Sequence, residues 1–131
     1  MKTYGFQRSV FLVLVLCALF CAGCAPAQTL VSMNRMRLTQ NPQATRKSIM
    51  KFVSPGMRIE KAKAVMEENH FTCSLKNEGA FMAGKKLYTN INYIFCDRQT
   101  KELVSRRWQV AVVHEKGRVK DVLVSTGLIG P

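Results

Sequence analysis

The hydrophobic pattern of residues 44–69 has the period of an α-helix. Residues 44–52 place apolar side chains three and four positions apart, which predicts a short helix. Pro55 and Gly56 follow it, and they end the helix because proline cannot continue one and glycine permits a chain reversal. A second helix is predicted over 58–69, where lysines and glutamates lie opposite an apolar stripe. The stripe consists of Ile59, Ala62, Val65 and Met66.

Beyond residue 70 the apolar residues alternate with a period of two, which predicts β-strands. The predicted strands cover residues 71–75, 86–97, 106–114 and 119–126. A loop is expected over 76–84, and a turn or ragged strand over 98–104. Gly117 supplies the positive φ of a tight hairpin between the last two strands. In the strand over 86–97, the side chains expected to share one face are Leu87, Thr89, Ile91, Tyr93 and Phe95.

These elements predict an α+β fold in which two short N-terminal helices pack on a three- to four-stranded antiparallel sheet. The predicted organisation is a signal peptide with a lipobox over 1–23, a tether over 24–43 and a single α+β domain over 44–131. The domain is small, so its core is close to the lower limit of comfortable size.

The first residues of the chain have the pattern of a secretory leader. Lys2 and Arg8 precede an apolar run over 10–20 that is too short to span a bilayer. Small residues then lead to Cys24, which resembles the lipobox of bacterial lipoproteins. This resemblance implies that Cys24 is acylated, with palmitate among its acyl chains, and becomes the new N-terminus. An ordinary leader, ending near Ala25 or Ala27 with loss of Cys24, is the alternative.

The chain is strongly basic, with 20 Lys and Arg against 8 Asp and Glu and a formal net charge of +12. Removal of Lys2 and Arg8 with the leader lowers this charge to +10. Such a charge favours anionic partners, which include lipid headgroups, envelope glycans and an acidic protein face. Nucleic acid is not an expected partner, because an exported chain rarely meets it.

Three cysteines remain after the leader: Cys24, Cys73 and Cys96. With Cys24 acylated, Cys73 and Cys96 are expected to form a disulfide in an oxidising envelope. The bridge would close a loop of about 24 residues and stabilise the domain by roughly 3 kcal/mol. Two buried free thiols are the alternative.

No metal, other cofactor or catalytic activity is expected. His70, Cys73, Cys96 and His114 could form a ligand set on paper, but the chain has no CxxC or HxxxH spacing. Cys73 and His70 have the spacing of a nucleophile and its base, and a disulfide would remove that interpretation. The sequence therefore predicts a protein that is not an enzyme.

The order of the elements resembles the SmpA/OmlA family of small outer-membrane lipoproteins, accessory subunits of the β-barrel assembly machinery. Residues 53–57 (VSPGM) carry the resemblance together with Ile59, Ala62 and Val65, and it covers about residues 45–125. Folds like the β-lactamase inhibitor protein share the same plan. The resemblance implies a lipid-anchored protein on the periplasmic face of the outer membrane. Ala25 agrees with that location, because Asp after the acylated cysteine favours retention at the inner membrane.

A basic cluster near one turn is the predicted partner-binding site. It comprises Arg98, Arg106 and Arg107 together with Trp108, since arginine and tryptophan are enriched at binding hot spots. A solvated turn is the alternative for the arginines, and a core position on its strand is the alternative for Trp108. The expected function is that of a non-catalytic envelope lipoprotein that binds another envelope protein, possible roles being outer-membrane protein assembly and envelope integrity. The second hypothesis is a basic binder or inhibitor of an anionic envelope polymer or a hydrolase.

Overall fold

The computed structural model describes residues 35–130, and a compact unit begins at Arg35. These residues form two helices and four strands. Their bounds are α1 Pro42–Met50, α2 Ile59–Glu68, β1 Thr72–Ala83, β2 Lys86–Gln99, β3 Ser105–Glu115 and β4 Arg118–Ile129. The predicted signal peptide, Cys24 and most of the predicted tether lie outside the described residues.

The four strands form one antiparallel sheet in the order β1-β2-β3-β4, so each strand pairs with the next one along the chain. The α+β class and the antiparallel sheet are confirmed, and the sheet has four strands. The prediction that the helices are N-terminal is wrong, because they occupy residues 42–68. They precede the sheet, but a long segment of the chain precedes them.

The two helices begin in different ways. The Asn41 side-chain Oδ1 accepts hydrogen bonds from the backbone N–H groups of Gln43 (2.9 Å) and Ala44 (3.1 Å), and Pro42 opens α1. An asparagine cap followed by proline is a strong start signal, which explains why α1 begins two residues before the predicted position. Arg58 precedes α2 without any side-chain cap. Instead, the free backbone N–H of Ile59 donates to the Gly117 carbonyl at 3.2 Å.

The main core lies between the helices and one face of the sheet. Ile49 of α1 and Met66 of α2 are fully buried in one cluster with apolar side chains of the three strands β2 to β4. The fully buried sheet residues of this core are Ile94, Cys96, Val110, Val112 and Val122. The apolar stripe of α2 and the alternation of β3 and β4 therefore meet as predicted, because each element buries its one apolar face.

β1 and β2 form a longer hairpin than the sequence indicated. The loop expected over 76–84 is wrong: β1 runs through to Ala83, and only Gly84 and Lys85 connect it to β2. The pairing register shifts twice between Lys76 and Phe81, which bends the hairpin. Through this bend β1 contacts β4, although two strands separate them in the sheet.

The bend creates a second core on the face of the sheet opposite the helices. Phe81 packs there with Tyr93, Ala111 and Leu123, and the rings of Phe81 and Tyr93 meet edge to face with centroids 5.9 Å apart. The sheet is therefore covered on both faces at this end. The hairpin itself supplies the second cover.

The bend also changes which side chains of β2 share a face. Ile91, Tyr93 and Phe95 lie on the second core as predicted, but Tyr88 joins them there in place of Leu87. Leu87 is 55% exposed. Asn90 has a positive φ of 53°, which interrupts the alternation on which the prediction was based.

The last residues of the predicted tether are fixed to the domain. Met36 is 5% exposed, and the Trp108 indole N–H donates to the Thr39 carbonyl at 2.8 Å. The Thr126 hydroxyl donates to the Gln40 carbonyl at 2.9 Å. We call residues 35–41 the strap. It closes the helix-side core over Trp108.

The outer edge of β4 is occupied by other parts of the domain. Val119 exchanges backbone hydrogen bonds with the loop before α2, donating to Met57 and accepting from Gly56, each at 2.8 Å. Further along, the Arg46 Nε donates to the Val122 carbonyl at 2.8 Å. These contacts protect an edge that could otherwise pair with another chain.

Candidate interaction surface

The predicted partner-binding residues lie close together, at the end of the sheet where β2 leads into β3. Arg98 is directly opposite Trp108, and Gln99 is opposite Arg107. However, successive residues of a strand point to opposite faces. Arg107 and Trp108 therefore cannot belong to one flat binding patch.

Trp108 is a core residue. It is 5% exposed and packs on the helix side of the sheet, where its indole N–H holds the strap through Thr39. A buried tryptophan with a satisfied N–H has no side-chain surface left for a partner. This burial favours the alternative given for Trp108, a core position on its strand, and a role in partner binding stays an untested prediction.

Arg107 and Arg98 have internal partners. The Arg107 guanidinium binds both carboxylate oxygens of Asp97, with Nε–Oδ1 at 2.8 Å and Nη2–Oδ2 at 2.9 Å. This hydrogen-bonded carboxylate raises the pKa of Arg107. The Arg98 Nη1 donates to the Asn69 carbonyl at 3.0 Å, where it satisfies an acceptor at the C-terminal end of α2. Both arginines primarily support the fold.

Arg106 is the exposed member of the predicted cluster, and it lies at an end of the sheet where large apolar side chains are also exposed. It pairs with Leu128 across the sheet, so these two side chains share one face. Ile129 pairs with Ser105 and points to the other face at the same end of the sheet. Leu103 is 83% exposed, Leu128 65%, Val104 49% and Ile129 37%. We call Leu103, Val104, Arg106, Leu128 and Ile129 the sheet-end surface.

The sequence contained a signal for this surface that the strand pattern obscured. Leu103 and Val104 lie in the segment predicted as a turn or ragged strand, and Leu128 and Ile129 lie beyond the predicted end of the last strand. Two apolar pairs outside any regular alternation do not have the pattern of the buried face of a strand. Their position next to each other follows only from the pairing of β3 with β4.

A second exposed apolar group lies on the hairpin of β1 and β2. Met82 is 51% exposed and faces Leu87 across the hairpin, close to Lys85 in the turn and to Lys86 at the start of β2. We call these four residues the hairpin tip. Leu75, further along β1, is 56% exposed. All seven large apolar side chains that are exposed among residues 35–130 thus belong to the sheet-end surface or to this hairpin.

Cys73 and Cys96 are directly opposite each other on β1 and β2, and their Sγ atoms are 2.7 Å apart. Both are free thiols, so the disulfide stays a prediction. The hydrogen bond between them lowers the pKa of Cys73 and raises that of Cys96, and burial raises the pKa of Cys96 further.

The residues of the hypothetical metal set do not all converge. Cys96 pairs with Val110, whereas His114 is further along β3, opposite Val119. No group of three or more His, Cys, Asp and Glu side chains among residues 35–130 is arranged to hold a metal ion.

Neither described helix is long and apolar enough to cross a membrane. Comparison of the chain with protein-family models, with curated proteins and with solved structures gives no match. The function therefore has to be argued from the sequence pattern and from the surfaces described above.

Proposed function

We propose that this protein is a non-catalytic envelope lipoprotein whose domain binds another envelope protein through the sheet-end surface. The observation that carries the proposal is the exposure of four large apolar side chains at the one end of the sheet where Arg106 and Leu128 lie side by side. Exposed apolar patches with a polar rim mark interaction sites, because leaving them in water is unfavourable. Arginine beside apolar side chains also has the composition of a protein interface.

The leader and Cys24 support the envelope location. Acyl chains on Cys24 would hold the protein on the membrane, and more than one chain gives stable attachment. The chain from Cys24 to Arg35 can reach at most about 40 Å when fully extended. The domain would therefore work close to the membrane surface. Under this proposal, the acyl chains insert into the periplasmic leaflet of the outer membrane and the domain lies beside it.

The SmpA/OmlA resemblance makes the β-barrel assembly machinery the first partner to test. We would introduce a photo-crosslinking amino acid at Leu128 in cells of the native host and identify the adducts by mass spectrometry. The control position is Lys61, an exposed residue on α2. We expect a discrete protein adduct from Leu128 at low and at high salt, and none of it from Lys61. The same adducts from both positions would refute the proposal.

A pair of substitutions gives a second test. Leu128→Asp should abolish co-purification of the crosslinked partner, while Leu75→Asp, an equally exposed leucine elsewhere, should leave it unchanged. Both variants should retain the stability of the wild type within about 0.5 kcal/mol, since both side chains are at the surface. Loss of the partner in both variants would show that the sheet-end surface is not specific.

The hairpin tip favours a second candidate, a binder of anionic envelope lipid or glycan. Lys85 and Lys86 take part in none of the four ion pairs found among residues 35–130, and Lys86 lies over the Tyr88 ring at 4.7 Å. We would measure binding of the full chain to anionic vesicles against increasing salt. Binding that disappears with salt and with Lys85→Glu would support this candidate, because exposed charges are screened.

A further inference from the structure

The two thiols of the domain differ sharply in access. Cys96 is 0% exposed and packs in the helix-side core beside residues such as Trp108. Cys73 is only half-buried, and it lies on β1, which is an edge strand of the sheet. Cys73 packs against the same core but keeps part of its surface exposed, so a reagent from solvent meets Cys73 before it meets Cys96.

The two sulfurs are nevertheless in contact. Their residues are register partners in adjacent antiparallel strands, and the Sγ atoms are 2.7 Å apart. Directly opposed residues of adjacent strands have Cα separations within the range that a disulfide spans. A group attached to Cys73 would therefore be within reach of Cys96 without movement of either strand.

We infer that Cys73 and Cys96 form a thiol–disulfide exchange site in which Cys73 is the entry thiol and Cys96 the resolving thiol. The partner class is a disulfide oxidant, either a small disulfide or an envelope dithiol protein in its oxidised form. This inference does not depend on the sheet-end surface or on its partner.

The exchange proceeds in two steps. The Cys73 thiolate attacks one sulfur of the oxidant, the disulfide of the oxidant breaks, and one oxidant thiol leaves after taking up a proton. Cys96 then gives up its proton and attacks the Cys73 sulfur, which breaks the mixed disulfide and releases the second thiol. The two protein thiols lose two electrons, and the oxidant disulfide gains them. A dithiol reductant would reverse both steps, again through Cys73.

The surroundings of Cys73 are suited to entry from solvent. Lys63 and Glu67, one turn apart on α2, both act on the Cys73 sulfur, the lysine favouring the thiolate and the glutamate opposing it. Their own side chains form an ion pair at 3.7 Å and are about half exposed. Charged side chains therefore lie on the exposed side of Cys73, whereas Cys96 is enclosed by packed apolar side chains.

The test uses the reduced full chain and oxidised glutathione, with iodoacetamide as the quench. Trypsin places Cys73 in residues 64–76 and Cys96 in residues 87–98, so mass spectrometry separates the two sites from the leader cysteines. In the wild type we expect a glutathione adduct on 64–76 first, followed by a link between the two peptides. In Cys96→Ser the adduct on 64–76 should persist. In Cys73→Ser an adduct on 87–98 should form at least about tenfold more slowly.

A measurement on the wild type keeps the test independent of how well the variants fold. In the native state, iodoacetamide should label 64–76 at least about tenfold faster than 87–98, and in guanidinium the two rates should become similar. A first adduct on 87–98, equal native labelling rates, or an adduct on 64–76 that never becomes a link would each overturn the inference.

Discussion

Replacement of Trp108 tests whether its side chain supports the fold or faces a partner. Trp108→Phe removes the hydrogen bond to the Thr39 carbonyl and leaves a small cavity where the indole was. The lost hydrogen bond costs about 1 kcal/mol, and the cavity adds about 1–2 kcal/mol. Trp108→Ala should cost about 3–5 kcal/mol. That is a large share of the ~5–15 kcal/mol that stabilises a small domain.

The assay is guanidinium unfolding followed by far-ultraviolet circular dichroism, because Trp108 is the only tryptophan of the chain and its fluorescence disappears in the variants. The matched control is Leu128→Ala, at a side chain that is 65% exposed, which should change stability by less than about 0.5 kcal/mol. Cleavage of the strap gives a second measure of whether Trp108 holds the fold together. Without the indole, trypsin should cut after Arg35 and Arg37 faster than in the wild type.

The result that would refute this reasoning is a Trp108→Ala variant with nearly wild-type stability and an unchanged cleavage rate at the strap. Trp108 would then not support the core, and it would return to the predicted partner-binding cluster. A strong loss of stability in Leu128→Ala would be equally informative. It would mean that the sheet-end surface is covered within the domain and is not free for a partner.

Three further predictions concern the cap, the bidentate ion pair and the reactive thiol. Asn41→Ala should destabilise the domain by about 1 kcal/mol, because the backbone N–H groups of Gln43 and Ala44 lose their hydrogen bonds to the Asn41 side chain. Chemical denaturation measures this change, and an unchanged free energy of unfolding would contradict the role of the cap. Arg107→Gln should cost at most about 1 kcal/mol, because its ion pair with Asp97 is partly exposed and screened by solvent. Unfolding at low and high salt checks this, and a difference that grows with salt would contradict it. Alkylation of native Cys73 should rise with pH to a midpoint below that of the unfolded chain, because the pKa of Cys73 is lowered. Mass spectrometry at several pH values measures both midpoints, and equal midpoints would contradict the hydrogen bond from Cys96.

The helices and the hairpin of β3 and β4 could be predicted because local sequence determines them. The apolar stripe of α2 recurs at helical spacing, and it meets the core as expected. In the turn between β3 and β4, Lys116 and Gly117 both have positive φ, 51° and 73°, which suits a two-residue hairpin. Asn41 and Pro42 also carried a local signal, a helix cap, which the prediction did not use.

The bent hairpin could not be predicted, because the middle of β1 has the composition of a loop. Residues 76–80 are mostly polar and include Gly79, which is typical of a loop. They nevertheless belong to β1, and Lys76 and Gly79 pair with residues of β2. The register shifts move Phe81 onto the second core, where Leu123 of a distant strand completes its environment. Neither partner can be inferred from periodicity, since one bulge reverses every later face.

The strand period itself gave stronger information on the candidate site than residue type did. Arg107 and Trp108 are adjacent, and period two assigns them to opposite faces of β3, so they could not form one hot spot together. Asp97, directly before the predicted turn, was the available partner for Arg107 and makes it part of the fold. The exposed site then consists of Arg106, of Leu128 beside it on the same face, and of the other exposed apolar side chains at this end of the sheet. A binding partner should therefore be held mainly by apolar contact, with one arginine for orientation, and its retention at high salt is what separates it from a ligand attracted by the net charge alone.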